Sequence, residues 1–123
     1  MPELEDVLNE FLPLCEEDAA MVEFAQKRKL TVQYVIPDAQ IQFFMSFQDG
    51  VVSCGGGKPP APASFTITMS KETFDDSMND RIDAMSAALS GKIKFKGDRI
   101  KGMVLQQTSK YMSRLWAEAL KKF

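Results

Sequence analysis

The sequence predicts a two-layer α+β fold, and three observations carry the prediction. Between Leu30 and Lys96 apolar residues recur at every second position in five short runs, the period of a strand with one oily face. Before, between and after those runs the apolar spacing lengthens to three or four, the period of an amphipathic helix. Gly, Pro, Asn and Asp punctuate the breaks, where regular structure ends. Five one-sided strands need a cover for their apolar face, so the helices gather there.

Taken in order, Leu4, Val7, Leu8, Phe11 and Leu12 have helical spacing, and Pro13, which lacks an N–H, is expected to end or bend this first helix. A second helix is expected from about Glu16, turning Ala20, Met21 and Phe24 inward before Lys27-Arg28-Lys29, whose charges suit the negative end of a helix dipole. From Leu30 the period becomes two, with Leu30, Val32, Tyr34 and Ile36 on one face and Thr31, Gln33 and Val35 on the other. Pro37-Asp38 ends that strand. Ile41, Phe43, Met45 and Phe47 alternate with polar residues, except at Phe44, and Asp49-Gly50 signals a hairpin because both residues tolerate positive φ. A shorter strand, Val51 to Cys54, pairs back. Residues 55–63, GGGKPPAPA, read as a loop.

A fourth strand covers Phe65 to Met69, after which Ser70 can cap a short helix carrying Phe74 and Met78. Asn79 or Asp80 can cap another helix, with Ile82, Met85, Ala88 and Leu89, closed by Gly91. In the fifth strand Ile93 and Phe95 alternate with Lys92, Lys94 and Lys96. Gly97 allows a sharp turn, and Asp98 can cap a helix running to about residue 121. That helix carries one stripe of Ile100, Val104, Tyr111 and Leu115 beside another of Leu105, Met112, Trp116 and Leu120, broader than a single sheet contact requires.

At 123 residues the chain supports about one domain, divided into helices over 1–28, a sheet with inserted helices over 30–96, and the helix over 98–121. Eight Met and nine Phe supply large, adaptable apolar volume, which suits a cavity or an irregular core alike. The net charge is only −2 but is sorted: residues 1–26 hold eight acids and no base, whereas residues 92–123 hold nine bases against Asp98 and Glu118. The two ends either attract each other or present different faces to partners. No apolar run is long enough to span a bilayer, and the acidic start has neither the basic region nor the apolar core of a signal peptide, so a cytoplasmic location is expected.

The stretch Leu89-Ser90-Gly91-Lys92-Ile93-Lys94-Phe95-Lys96-Gly97-Asp98, followed by a helix with Met103-Val104-Leu105-Gln106-Gln107 and preceded by the strand Phe65-Thr66-Ile67-Thr68-Met69-Ser70 entering a helix at Lys71-Glu72-Thr73-Phe74, closely resembles the sterol carrier protein two domain. The likeness spans roughly residues 28–118. It implies a five-stranded, mainly antiparallel sheet with helices on one face, enclosing an apolar tunnel for a fatty acid, fatty acyl-CoA, phospholipid or sterol. By periodicity alone Phe43, Met45, Phe47, Phe65 and Ile67 from the strands are core, as are Phe74, Met78, Met85, Ile93, Phe95, Met103, Met112 and Trp116. The resemblance makes them tunnel-lining candidates, with Gln106, Gln107 and Tyr111 as readers of a polar head group at its mouth. Three departures stand out: the chain ends Lys121-Lys122-Phe123 without a peroxisomal signal, the acidic helical pair is long, and the Gly/Pro-rich loop is distinctive.

Chemistry is scarce. Histidine is absent, which removes the usual neutral-pH base, the commonest metal ligand and any Ser-His-Asp or Cys-His device. Cys15 and Cys54 lack metal-ligand spacing and read as buried free thiols. Asp75, Asp76, Asp80 and Asp83 lack the Gly and Glu of a calcium loop, so caps and a solvated face explain them better. Gly55-Gly56-Gly57-Lys58 is followed by Pro59 where a phosphate loop needs Ser or Thr. Lys92, Lys94, Lys96, Arg99 and Lys101 form a basic segment without the interleaved aromatics of single-strand binding, so no nucleic acid is expected, and an anionic membrane surface or acyl-CoA phosphates are the partners weighed instead. The expectation is a non-catalytic lipid carrier without metal or cofactor, as monomer or homodimer. The alternatives are a cavity enzyme using Tyr34, Tyr111 or Asp98, and an accessory module docking a partner helix.

Overall fold

Residues 2–123 are described by a computed structural model. The five strands are β1 (Lys29–Ile36), β2 (Ile41–Gln48), β3 (Val51–Gly56), β4 (Phe65–Met69) and β5 (Ile93–Gly97). They form one sheet in the order β3-β2-β1-β4-β5, antiparallel except for the parallel pair β1–β4. The β2–β3 hairpin turns on Asp49 and Gly50 at φ of 49° and 85°, the geometry in which the turn's twist matches its strands. β3 continues through Gly55 and Gly56, which pair with Phe44 and Phe43, so the loop is shorter than the sequence indicates. β1, the central strand, has polar residues buried too. Gln33 donates to Gln42 Oε1 and to the carbonyl of Gly57, and Thr31 donates to Ser46 Oγ.

The inner face of the sheet, with Val32, Tyr34, Ile36, Phe43, Met45, Phe47 and Phe65, meets the helices. These are α1 (Leu4–Glu17), α2 (Ala19–Ala25), α3 (Lys71–Met78), α4 (Ala84–Leu89), α5 (Arg99–Leu105) and α6 (Ser109–Leu120). A relay of aromatic contacts ties the layers together. Tyr34 stacks on Phe43 at 4.6 Å, Phe43 meets Phe74 of α3 edge-on at 5.8 Å, and Trp116 of α6 receives Phe74 at 5.4 Å and Phe11 of α1 at 5.2 Å. Each such pair adds about 1 kcal/mol beyond the area it buries.

The charge sorting has a structural counterpart, because the acidic α1 packs along α6, and Asp18 accepts from the Arg114 guanidinium at 2.9 Å. The same carboxylate caps α2 by accepting from the N–H of Met21, so Asp18, rather than Glu16, starts that helix. Pro13 lies inside α1 rather than ending it. Leu12 and Cys15 on either side are buried, and packing outweighs the one hydrogen bond that proline removes.

Two further expectations change. Ile82 lies outside α4, which starts after its cap Asp83. Arg81 is drawn back to Asp75 and Asp76, and Asp80 takes a left-handed φ of 57°, so residues 79–82 close α3 instead of opening the next helix. The C-terminal helix is not continuous. A 3₁₀ turn over Gln106–Thr108 separates α5 from α6, and Thr108 Oγ1 donates to the Leu105 carbonyl at 2.7 Å at the break. The break lets α5 lie over the β4–β5 edge while α6 runs back across α1 and α3, and it leaves Ile100 exposed rather than on an inward stripe.

Candidate functional site

The helical cover is incomplete beside β5. α1, α2, α3 and α6 fill the space above β1–β3, but above β4–β5 the short α4 and α5 stand apart over a cavity of about 650 Å³. This volume falls within the range of small-molecule sites. Tyr34, Ile67, Met69, Ile93 and Phe95 form its floor. Phe74, Ser77 and Met78 of α3, buried Leu105 of α5 and Met112 and Ser113 of α6 form one wall; Met85, Ala88 and Leu89 of α4 and Gly102 and Met103 of α5 form the mouth. Five of the eight methionines border it, giving a wall that rearranges around ligands of different shape.

Local sequence explains the geometry. Gly97 takes a φ of +124° at a place where a Cβ would collide with the Ser64 carbonyl and Phe65, turning the chain sharply from β5 into α5. Asp98 then accepts from the N–H groups of Ile100 and Lys101. Gly102 faces the Phe95 ring, which would crowd a Cβ at 2.4 Å, so glycine lets α5 sit directly on that ring. Phe95 in turn stacks on Phe65 at 5.0 Å.

Of the residues singled out in the sequence, Ile67, Phe74, Met78, Met85, Ile93, Phe95, Met103, Met112 and Gln106 border the cavity. Phe43, Phe65 and Trp116 sit one layer behind it, and Met45 and Phe47 lie deeper in the packed core, with Phe47 against Phe24 of α2. Gln107 instead accepts from Arg28, and Tyr111 packs half-buried on the core. Sequence reasoning passed over a set of hydroxyls on the wall, Ser77, Thr108, Ser109 and Ser113. Their signal was helical spacing: Ser77 follows Phe74 by three, and Ser113 follows Ser109 by four. Ser77 Oγ is buried and has no hydrogen-bond partner.

Several ionisable groups near the site are protonated by burial or engaged by neighbours. Burial, reinforced by Cys15 and Cys54, pushes the Tyr34 phenol well above its ordinary value, so it stays neutral, and its O–H points to Met112 Sδ at 4.0 Å. Asp98 is occupied as a cap, and Asp75 and Asp76 pair with Arg81. Burial also raises both thiols, Cys54 to about 12, which removes their nucleophilic form near neutral pH. Glu16 accepts from the N–H of Cys54 and so holds α1 to β3. Among the described residues no group of three His, Cys, Asp or Glu side chains is placed to hold a metal, and no helix is long and apolar enough to cross a membrane.

Comparison with known proteins agrees with this architecture. No curated protein matches the chain significantly. Among solved structures, a conserved hypothetical protein of Thermus thermophilus, itself a suggested sterol carrier protein, superposes with a TM-score of 0.72 at 16% identity, covering 97% of this chain and 90% of that one. Ligand-free sterol carrier protein 2 from Yarrowia lipolytica gives 0.70 at 15% identity, with 92% and 95% covered. Part of a sec-alkylsulfatase from a Pseudomonas species gives 0.58 at 24% identity, covering 68% of this chain, which spans only 13% of the sulfatase. These likenesses establish the fold. The SCP-2 sterol transfer family model matches residues 8–110, and the chain belongs to that family.

Proposed function

We propose that this protein binds and carries a lipid in the cavity between the helices and the β4–β5 half of its sheet. The observation that carries the reading is the cavity itself: about 650 Å³, walled by five methionines and open between α4 and α5. No catalyst is needed for such a task. Burying about ten methylenes gains roughly 8 kcal/mol before immobilisation costs, so apolar contact supplies the main driving force for binding.

The ligand is a fatty acid, acyl-CoA, phospholipid or sterol-like molecule. Its polar group meets the hydroxyl wall, where a hydroxyl or carbonyl completes the unsatisfied Ser77 Oγ, or meets Gln106 and Arg99 at the mouth. The protein acts as a cytoplasmic carrier rather than an enzyme. Of Tyr34, Tyr111 and Asp98, only Tyr34 borders the cavity, and burial keeps its proton in place. It binds no nucleic acid and works as a monomer or homodimer that touches anionic membranes transiently.

Native mass spectrometry of freshly purified protein, with organic extraction of what it releases, tests the reading. A co-purified lipid in about one-to-one ratio is expected; protein that is empty and also fails to bind a fluorescent fatty acid overturns it.

A further inference from the structure

We propose that the mouth of the cavity is itself the membrane-docking surface, in which Leu89, Ile100 and Met103 enter the lipid interface while the bases around β5 and α5 meet anionic head groups. This deepens the carrier reading and rests on it. Its first ground is exposure: Leu89 is 83% exposed, Ile100 75% and Met103 64%; Leu89 at the end of α4 and Met103 of α5 border the cavity, and Ile100 stands one turn before Met103 on α5. Large apolar side chains so gathered at an entrance are the arrangement by which interfacial segments lie in a bilayer surface.

The second ground is charge. Residues 91–101 carry Lys92, Lys94, Lys96, Arg99 and Lys101 against Asp98 alone, in a chain whose net charge is −2. Among the described residues none of these five bases is in an ion pair, and Asp98 is committed to the cap of α5. Lys94 and Lys96 alternate with Ile93 and Phe95 and so lie on the face of the edge strand away from the cavity, where Lys92 and Lys94 share an outer depression with Asp38, whereas Arg99 borders the cavity, so bases stand on both faces of β5. Asp80 and Asp83 lie on the α4 side, and Asp83 is held by the N–H of Ser86, so the anion-seeking edge is β5–α5. The acidic α1 has its inner residues buried in the core and its outer face lined with Glu5, Asp6 and Glu10, which anionic lipid repels.

The consequence is a route for cargo. A molecule leaving the bilayer passes between Leu89 and Met103 onto the methionine wall without its chain crossing water. A second copy of this chain would also cover the apolar rim and could bring its acidic α1 to the bases, so the test below reads self-association separately from vesicle binding.

Flotation of the purified protein with vesicles of phosphatidylcholine, alone or mixed with phosphatidylserine, tests the inference. Fluorescent fatty-acid binding without vesicles is measured in parallel. Partition is expected to be about tenfold stronger on the anionic vesicles and to weaken as salt rises. Ile100→Glu, which lies outside the cavity wall and in the first turn of α5, and the pair Lys92→Glu with Lys101→Glu, should each abolish most of that gain while fatty-acid binding stays unchanged. Equal partition of wild type and variants, or none by wild type, while fatty acid still binds, overturns the docking surface alone. Anionic-vesicle binding that depends on Ile100 and the bases in a protein that is empty as purified and takes no fatty acid supports the surface and removes the carrier reading. A stable dimer that Ile100→Glu dissociates, without change in vesicle binding, assigns the rim to self-association and overturns the proposal.

Discussion

Met112→Ala set against Met45→Ala separates the cavity wall from the solid core. Both side chains are almost fully hidden, at 8% and 0% exposure, and both lose the same atoms. Met45 is enclosed in the sheet between Val32 and Cys54 under the helices, so its removal opens a new void, at a cost of about 3.5 kcal/mol. Met112 borders an existing cavity and already lacks neighbours on one side, so its loss costs about 2 kcal/mol. At about 4 °C per kcal/mol for a chain of this size, melting temperature falls by roughly 14 °C for Met45→Ala and 8 °C for Met112→Ala. Lipid affinity reverses the ranking. Met112→Ala weakens fatty-acid binding about tenfold through lost contact, while folded Met45→Ala binds like wild type. Calorimetry and fluorescence titration read the two effects. If Met45→Ala weakened binding as much as Met112→Ala, the cavity would not be the lipid site.

Gly97→Ala is expected to cost about 3 kcal/mol or more, because L residues avoid φ of +124° and the new Cβ would lie 2.6 Å from the Ser64 carbonyl; urea denaturation reads the loss. Asp98→Ala removes the cap of α5 for about 1 kcal/mol, and hydrogen exchange should quicken in α5 while α6 keeps its protection. Cys15, Cys54 and Tyr34 all have raised values in the folded protein, so the native state keeps protons that the unfolded chain releases. Their contribution is complete below about pH 9 and is lost as pH climbs towards 12, and denaturation midpoints measured across that range should fall. In the same folded protein at pH 7, both thiols should resist alkylation until denaturant is added.

Much of the fold is legible because its signals are local. The alternation in β2 and β4, Asp49-Gly50 at the hairpin, Ser70 and Asp98 as caps, and Gly97 before α5 each act within a few residues, and the structure uses each as read. Pro13 and the last helix are different. Whether a proline ends a helix depends on what the following turn gains by packing, and Cys15 gains full burial. The division of residues 99–120 into α5 and α6 follows from two separate surfaces, the β4–β5 edge and α1, that no window of sequence places together.

The same distinction governs the site. Periodicity in the sequence by itself determined that Phe43, Met45, Phe65, Met78, Met112 and Trp116 turn inward, since alternation and helical spacing select a face whatever lies opposite. Only the tertiary structure decided which inward residues meet other side chains and which meet open space. Met45 and Trp116 are filled in by neighbours from elements distant in sequence, whereas Met78 and Met112 face the gap where short α4 and α5 fail to cover β5. The hydroxyl of Ser77 enters that gap for the same reason. A cavity is the volume left over once every element has docked, a property of the whole packing rather than of any segment.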